Sequence, residues 1–257
     1  MTKIFTSITT LLIFYLTMQT ASAQSQTNIN EIMQCTLKPG YSAEEVISVG
    51  RAIPRGDNGP NIVFYREPLV ADPSRAGSIN VVRYWNNLEH MVSNMETNQP
   101  SGPSRHFLAM VNCQGSRVVA LNRTTGSGLA SPYEGMGINQ SFVAMRSCQL
   151  KDDMTMSDMV ERLEEADANR PAGDKSGLGI VQIIAGGVQD SSSANSSFVF
   201  RTIGENPVGL AKRLDSFDYL GRFENFPATC GNMSLWSSHV IYRNNKPETV
   251  EFYSETK

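Results

Sequence analysis

Apolar and polar positions along this chain fall into two successive blocks with the same rhythm. In the first, Ala43, Val46, Ile47, Gly50 and Ile53 recur with a period near 3.6 and predict a helix that stops at Pro54. A short strand follows over 61–65, then a strand over 79–85 that runs into a second helix with Leu88, Met91, Val92 and Met95 on one face. The second block repeats this. Met156, Met159, Val160 and Leu163 form a helix face, and strands are expected over 179–185 and 197–203. A helix capped by Asn206 and opened by Pro207 then presents Leu210, Ala211, Leu214 and Phe217. Each block closes on a strand, expected over 107–121 in the first and 226–242 in the second.

The blocks are in register when Cys35 is placed on Cys148. Cys35-Thr-Leu-Lys38 then matches Cys148-Gln-Leu-Lys151. Seven residues past each cysteine stands a hydroxyl residue, Ser42 or Thr155, and three further on an acid, Glu45 or Asp158. That is the capping-box pattern, in which the two side chains satisfy each other's orphan backbone N–H groups. Each block therefore reads β-α-β-β-α-β, the order of the ferredoxin-like split βαβ unit. The fold class expected is α+β: two tandem ferredoxin-like units packed as a fused, pseudo-dimeric α+β barrel. Strands 62–65, 180–184 and 198–200 are apolar on both faces, so both faces are expected to be buried.

Ahead of the blocks, residues 1–23 read as a secretory signal peptide. Lys3 precedes an apolar run of about 15 residues, short of the ~20 that span a bilayer, and Ala21-Ser22-Ala23 offers a cleavage site. The expected organisation is a signal peptide 1–23, a first repeat 24–123, a Gly/Ser-rich linker 124–141, a second repeat 142–245 and a polar tail 246–257. The expected location is periplasmic or extracellular. No span is expected in the mature form, and a monomer is expected.

Export makes the four cysteines candidates for two disulfides, for which three connectivities exist. In a split βαβ sheet the first and last strands are antiparallel neighbours. The repeat register then points to Cys35–Cys113 and Cys148–Cys230, with nearly equal separations of 78 and 82 residues. The cysteines are too dispersed for a structural zinc site, and no metal is expected. Formal net charge is −3, one unit more negative once Lys3 is removed, and gives no electrostatic footprint for nucleic acid.

Two such units in one chain resemble a fused member of the dimeric α+β barrel group, which includes NIPSNAP-like and EthD-like proteins and cofactor-independent antibiotic-biosynthesis monooxygenases. The resemblance rests on element order and on the Cys-x-Leu-Lys opening of each block, over about residues 30–245. It implies two sheets packed face to face under outer helices, and in some members a cavity for a flat aromatic substrate. Fold alone does not carry function.

Dedicated chemistry is sparse. There is no nucleophile elbow, Walker loop or dinucleotide fingerprint, and no cofactor is expected. His90 falls off the apolar stripe of its helix, and His106 is expected at a strand opening. The candidates for a ligand cavity are Trp85, Asn112, Trp236 and His239, residue types with rings or polar tips. Sequons at Asn122, Asn139, Asn195 and Asn232 matter only in a source that glycosylates exported proteins. The expectation is an exported protein that binds a small apolar or aromatic ligand without dedicated catalytic machinery. The alternatives are a cofactor-independent monooxygenase or isomerase, and an interaction protein of the cell envelope.

Overall fold

The computed structural model describes residues 26–97, 101–113, 117–124, 140–169, 176–186, 196–204, 206–216 and 226–244. The signal-peptide segment, most of the linker and the tail lie outside these residues.

The first half begins with β1 (Gln26–Leu37), α1 (Ala43–Ala52), β2 (Ile62–Val70) and β3 (Ser78–Trp85). It continues with α2 (Leu88–Thr97), α3 (Gly102–Met110), β4 (Val111–Asn112) and β5 (Arg117–Thr124). The second half holds β6 (Gln140–Leu150), α4 (Met156–Ala168), β7 (Gly177–Ala185) and β8 (Ser197–Gly204). It ends with α5 (Pro207–Ser216), β9 (Ala228–Cys230) and β10 (Ser234–Arg243). Both expected capping boxes form: Ser42 with Glu45 on α1, and Thr155 with Asp158 on α4. Their carboxyls are held below the usual range by bonds from the capping residue's backbone N–H and hydroxyl.

The expected tandem of ferredoxin-like sheets packed face to face is not what forms. The eight long strands make one closed antiparallel barrel, in the order β10-β2-β3-β1-β5-β7-β8-β6, with β6 returning to β10. The halves are hydrogen-bonded to each other along two seams, β5–β7 and β10–β2. The physical reason is edge satisfaction. Two separate sheets would leave rows of unpaired N–H and C=O groups at their borders, and closure removes every such edge from the ring. Strands apolar on both faces suit either arrangement, so the hydrophobic pattern did not separate them. Register shifts occur at both seams, between Val119 and Ala120 and at two points in β10, where they bend the strands into closure.

Outside the barrel, α1 and α3 cover a cluster that includes Val46, Ile47, Val63, Tyr65, Ile79, Phe107 and Met110. Gly50 is required there, because a Cβ would collide with the Tyr65 ring. The second half buries Met159, Leu163, Leu178, Ile180, Phe198 and Phe200 under α4. The strand expected over 107–121 is corrected: Phe107 and His106 lie on α3, which Ser101 caps and Pro103 opens. Strand follows in two pieces, the short β4 over Val111–Asn112 and β5 from Arg117. On α2, Met91 alone of the expected stripe is buried, while Leu88, Val92 and Met95 are exposed.

The disulfides join Cys35 to Cys113 and Cys148 to Cys230, the pairing that the repeat register predicts. In each half the bridge ties the end of the first strand to a short strand beside it, β4 or β9. No helix among the described residues is long and apolar enough to cross a membrane.

Candidate functional site

Alternation along the strands decides what points into the barrel. On β1 the inward positions are Asn28, Asn30, Ile32 and Gln34, and on β2 they are Ile62, Phe64 and Arg66. On β3 they are Asn80, Val82 and Tyr84, as the shared register and the common cluster of Ile62, Phe64, Val82 and Tyr84 show. At one end this interior is packed solid by Ile62, Phe64, Tyr84, Val143, Ile203 and Val240. Toward the other end it opens into a cavity of about 630 Å³. Eight strands give a lumen wide enough for one small ligand.

The apolar part of the cavity wall is formed mainly by Ile32, Val82, Val118, Met145, Val181, Ile183 and Val199, with Trp236 as its aromatic member. About half of the lining is polar. Arg66, Arg146 and Arg201 lie on the wall with Gln34, Asn80, Ser147, Asn232 and Ser234, and Asp72 and Arg75 stand on the connection after β2. A smaller hollow of about 490 Å³ shares Val181, Ile183 and Val199 with it and is bounded by the Cys148–Cys230 bridge.

The arginines are buried, with 3% of Arg66 and 1% of Arg201 exposed. Both donate to the Tyr84 hydroxyl oxygen, Arg66 from Nη2 at 3.2 Å and Arg201 from Nη1 at 2.8 Å. Arg66 also donates from Nε to Ser238 Oγ at 3.2 Å. Arg201 donates to Asn122 Oδ1, and Asn122 Nδ2 donates to Asn28 Oδ1 at 3.0 Å. Burial pushes the Tyr84 phenol up. The fields of Arg201 and Arg66, with the hydrogen bonds they donate, outweigh it and hold the group below the ordinary tyrosine value. Tyr65, on the outer face of β2, shows the opposite: burial dominates and raises its phenol.

Of the four cavity candidates read from the sequence, Trp236 lines the cavity, with its Nε1 donating to Ser234 Oγ at 2.9 Å. Trp85 packs on the outer face with Ile29 and Met91. Its Nε1 donates to Glu31 Oε2 at 3.3 Å, and Glu31 is a buried carboxylate that Arg83 and Arg117 also hold, at 3.0 and 2.5 Å. Asn112 is exposed on β4 opposite Thr36. His239 faces outward at the β10–β2 seam, its Nε2 3.0 Å from both Glu67 Oε1 and Ser237 Oγ. The structure does not bring these four together. His90 packs edge-on against Trp85.

Arg66, Tyr84 and Arg201 were missed. Their signal was present: Ile62-Val-Phe-Tyr-Arg66 and Phe198-Val-Phe-Arg201 each place an arginine inside an apolar strand run. A charge there is buried unless the strand lies at an edge, and buried charge demands partners. Among the described residues, no group of three or more His, Cys, Asp or Glu side chains is placed to hold a metal ion.

No family model matches the chain, and no curated protein matches it. Solved structures do. A candidate monooxygenase of Fusobacterium nucleatum superposes with a TM-score of 0.53 at 9% identity, over 85% of this chain and 95% of that one. A candidate monooxygenase of Lactobacillus acidophilus, at 12% identity, covers 84% of this chain and 95% of its own with a TM-score of 0.49. At such identity the likeness to the first is one of fold.

Proposed function

We propose that the barrel cavity takes a flat, largely apolar molecule bearing an acidic enol or phenol and holds it as the anion. We propose further that the chain acts on it as a cofactor-independent oxygenase or isomerase. One observation carries this reading: among the described residues, Arg66, buried on the cavity wall, donates hydrogen bonds only to the hydroxyls of Ser238 and Tyr84. No carboxylate among the described residues pairs with it. A buried guanidinium bonded to hydroxyls keeps its charge for a ligand anion, and the surrounding low dielectric strengthens that attraction. The apolar wall and Trp236 suit the body of an aromatic ring system.

An enolate or phenolate is the species that both reactions share. Reprotonation at another carbon gives isomerisation. Oxygenation of an activated methylene by O2 converts CH2 to C=O: one oxygen atom enters the carbonyl, and the other leaves as water with the two hydrogens. In either case the protein's task is to stabilise negative charge as it develops. The likeness to a candidate monooxygenase supports this choice among activities of the fold. Export to an oxidising compartment belongs to the same reading, and the two disulfides support it.

The test is oxygen uptake and product analysis with a panel of phenolic and enolic polycyclic compounds. Uptake that falls at least tenfold in R66Q, with the thermal transition retained, is expected. Binding without turnover across the panel would return the chain to a ligand-binding role, and no binding at all would overturn the proposal.

A further inference from the structure

Among the described residues, four arginines line the cavity, Arg66, Arg75, Arg146 and Arg201, against the single carboxylate of Asp72. The chain as a whole has a formal net charge of −3, so the cavity wall inverts the sign of the molecule. A cleft lined by one sign of charge focuses its field on the space it encloses and draws in ions of the opposite sign. Two of the four are tied deep in the barrel: Arg66 and Arg201 meet at Tyr84, a member of the packed end. Arg75 stands at the other end. Along β2 the inward side chains run from Ile62 and Phe64 in the packed end to Arg66, and the strand ends at Val70, an exposed residue of the cavity wall. Arg75 follows on a single 3-10 turn, Pro73–Arg75, where it is half-buried and again lines the cavity. No carboxylate among the described residues pairs with its guanidinium. The neighbouring Asp72 accepts instead from the backbone N–H of Ser74 at 2.9 Å and from the Ser74 hydroxyl, and it feels Arg75 as a field.

We infer that the cavity's ligand carries a second negative charge, a carboxylate on the same ring system as the acidic enol or phenol, and that Arg75 is the specificity-determining residue that holds this carboxylate at the mouth. The inference rests on the anion-holding reading of the cavity and adds a second pole to it. Arg66 takes the oxygen that ionises, deep in the barrel, and Arg75 takes the group that is already charged. A guanidinium meets a carboxylate through two parallel hydrogen bonds, so the outer pole fixes orientation as well as affinity. The half-buried position screens that pair less than an open surface would.

The test uses the full chain and three probes, 2-naphthol, 6-hydroxy-2-naphthoic acid and the neutral 6-hydroxy-2-naphthamide, with affinities measured calorimetrically. The acid is expected to bind about tenfold more tightly than 2-naphthol, and the amide within about twofold of 2-naphthol. Arg75→Gln is expected to erase the preference for the acid while leaving 2-naphthol within about twofold. Arg75→Ala repeats the test without a polar side chain, and circular dichroism confirms that both variants are folded. Equal affinity for the acid and 2-naphthol in the parent protein would overturn the inference. So would an acid preference that survives in both variants. An amide that binds as tightly as the acid would overturn it as well, since hydrogen bonding without charge would then suffice. If R66Q loosens 2-naphthol while the acid gains nothing over it in the parent protein, the Arg75 inference alone fails. If R66Q leaves 2-naphthol binding untouched, the anion-holding reading fails and takes the inference with it.

Discussion

Arg201, from the second half of the chain, donates to the hydroxyl of Tyr84, from the first half, at 2.8 Å inside the barrel. Arg66 meets the same oxygen at 3.2 Å. One phenol thus serves two buried guanidinium groups. Tyr84→Phe removes that shared acceptor and keeps the ring. Hydrogen bonds from charged donors are worth more than neutral ones, so the variant is expected to lose about 3 kcal/mol in equilibrium denaturation. A loss below about 0.5 kcal/mol would show that the arginines do not depend on Tyr84.

The acidity of Tyr84 makes stability depend on pH. Its folded pKa lies below the unfolded value, so ionisation favours the folded state. The contribution is fully present above the unfolded value, about 10, and is lost as pH falls through the folded pKa. The stability gap between the parent protein and Tyr84→Phe should therefore widen as pH rises through that window. A phenolate absorbance titration should show one early tyrosine that vanishes in Tyr84→Phe, with Tyr65 late because burial raises it.

Closure of one barrel by both halves has its own consequence. A chain ending after residue 123 would expose β2 and β5, which lose β10 and β7 as partners. It is expected to aggregate or self-associate, and to regain a soluble fold when coexpressed with the second half. A folded, monomeric first half in sedimentation would contradict the closed ring.

Each bridge closes a long loop of unfolded chain. Replacing Cys35 and Cys113 together by Ala is expected to cost about 4 kcal/mol in denaturant unfolding, with a similar loss for Cys148 and Cys230.

Local features were legible in the sequence because they rest on local chemistry. The capping boxes of Ser42 and Thr155 need only residues three apart, and the disulfide pairing followed from one repeat register. What the sequence hid depends on contacts between the halves. Pairing of β5 with β7 and of β10 with β2 leaves no trace in strand periodicity, since both faces are apolar in either arrangement. The helix holding Phe107 was read as strand because its short apolar run fits both periods. The arginines were visible as charges in apolar strands. Their convergence on Tyr84 was not, because Arg66 and Arg201 lie 135 residues apart in sequence on strands that meet only once the ring closes.

The central claim is that the cavity holds an anion through Arg66. The ionisation of bound 4-nitrophenol, read from its phenolate absorbance across pH, tests it most directly. Bound nitrophenol is expected to ionise at lower pH than free nitrophenol, and R66Q is expected to remove the difference. An unshifted or raised pKa for the bound probe, the behaviour of a merely apolar cavity, would contradict it.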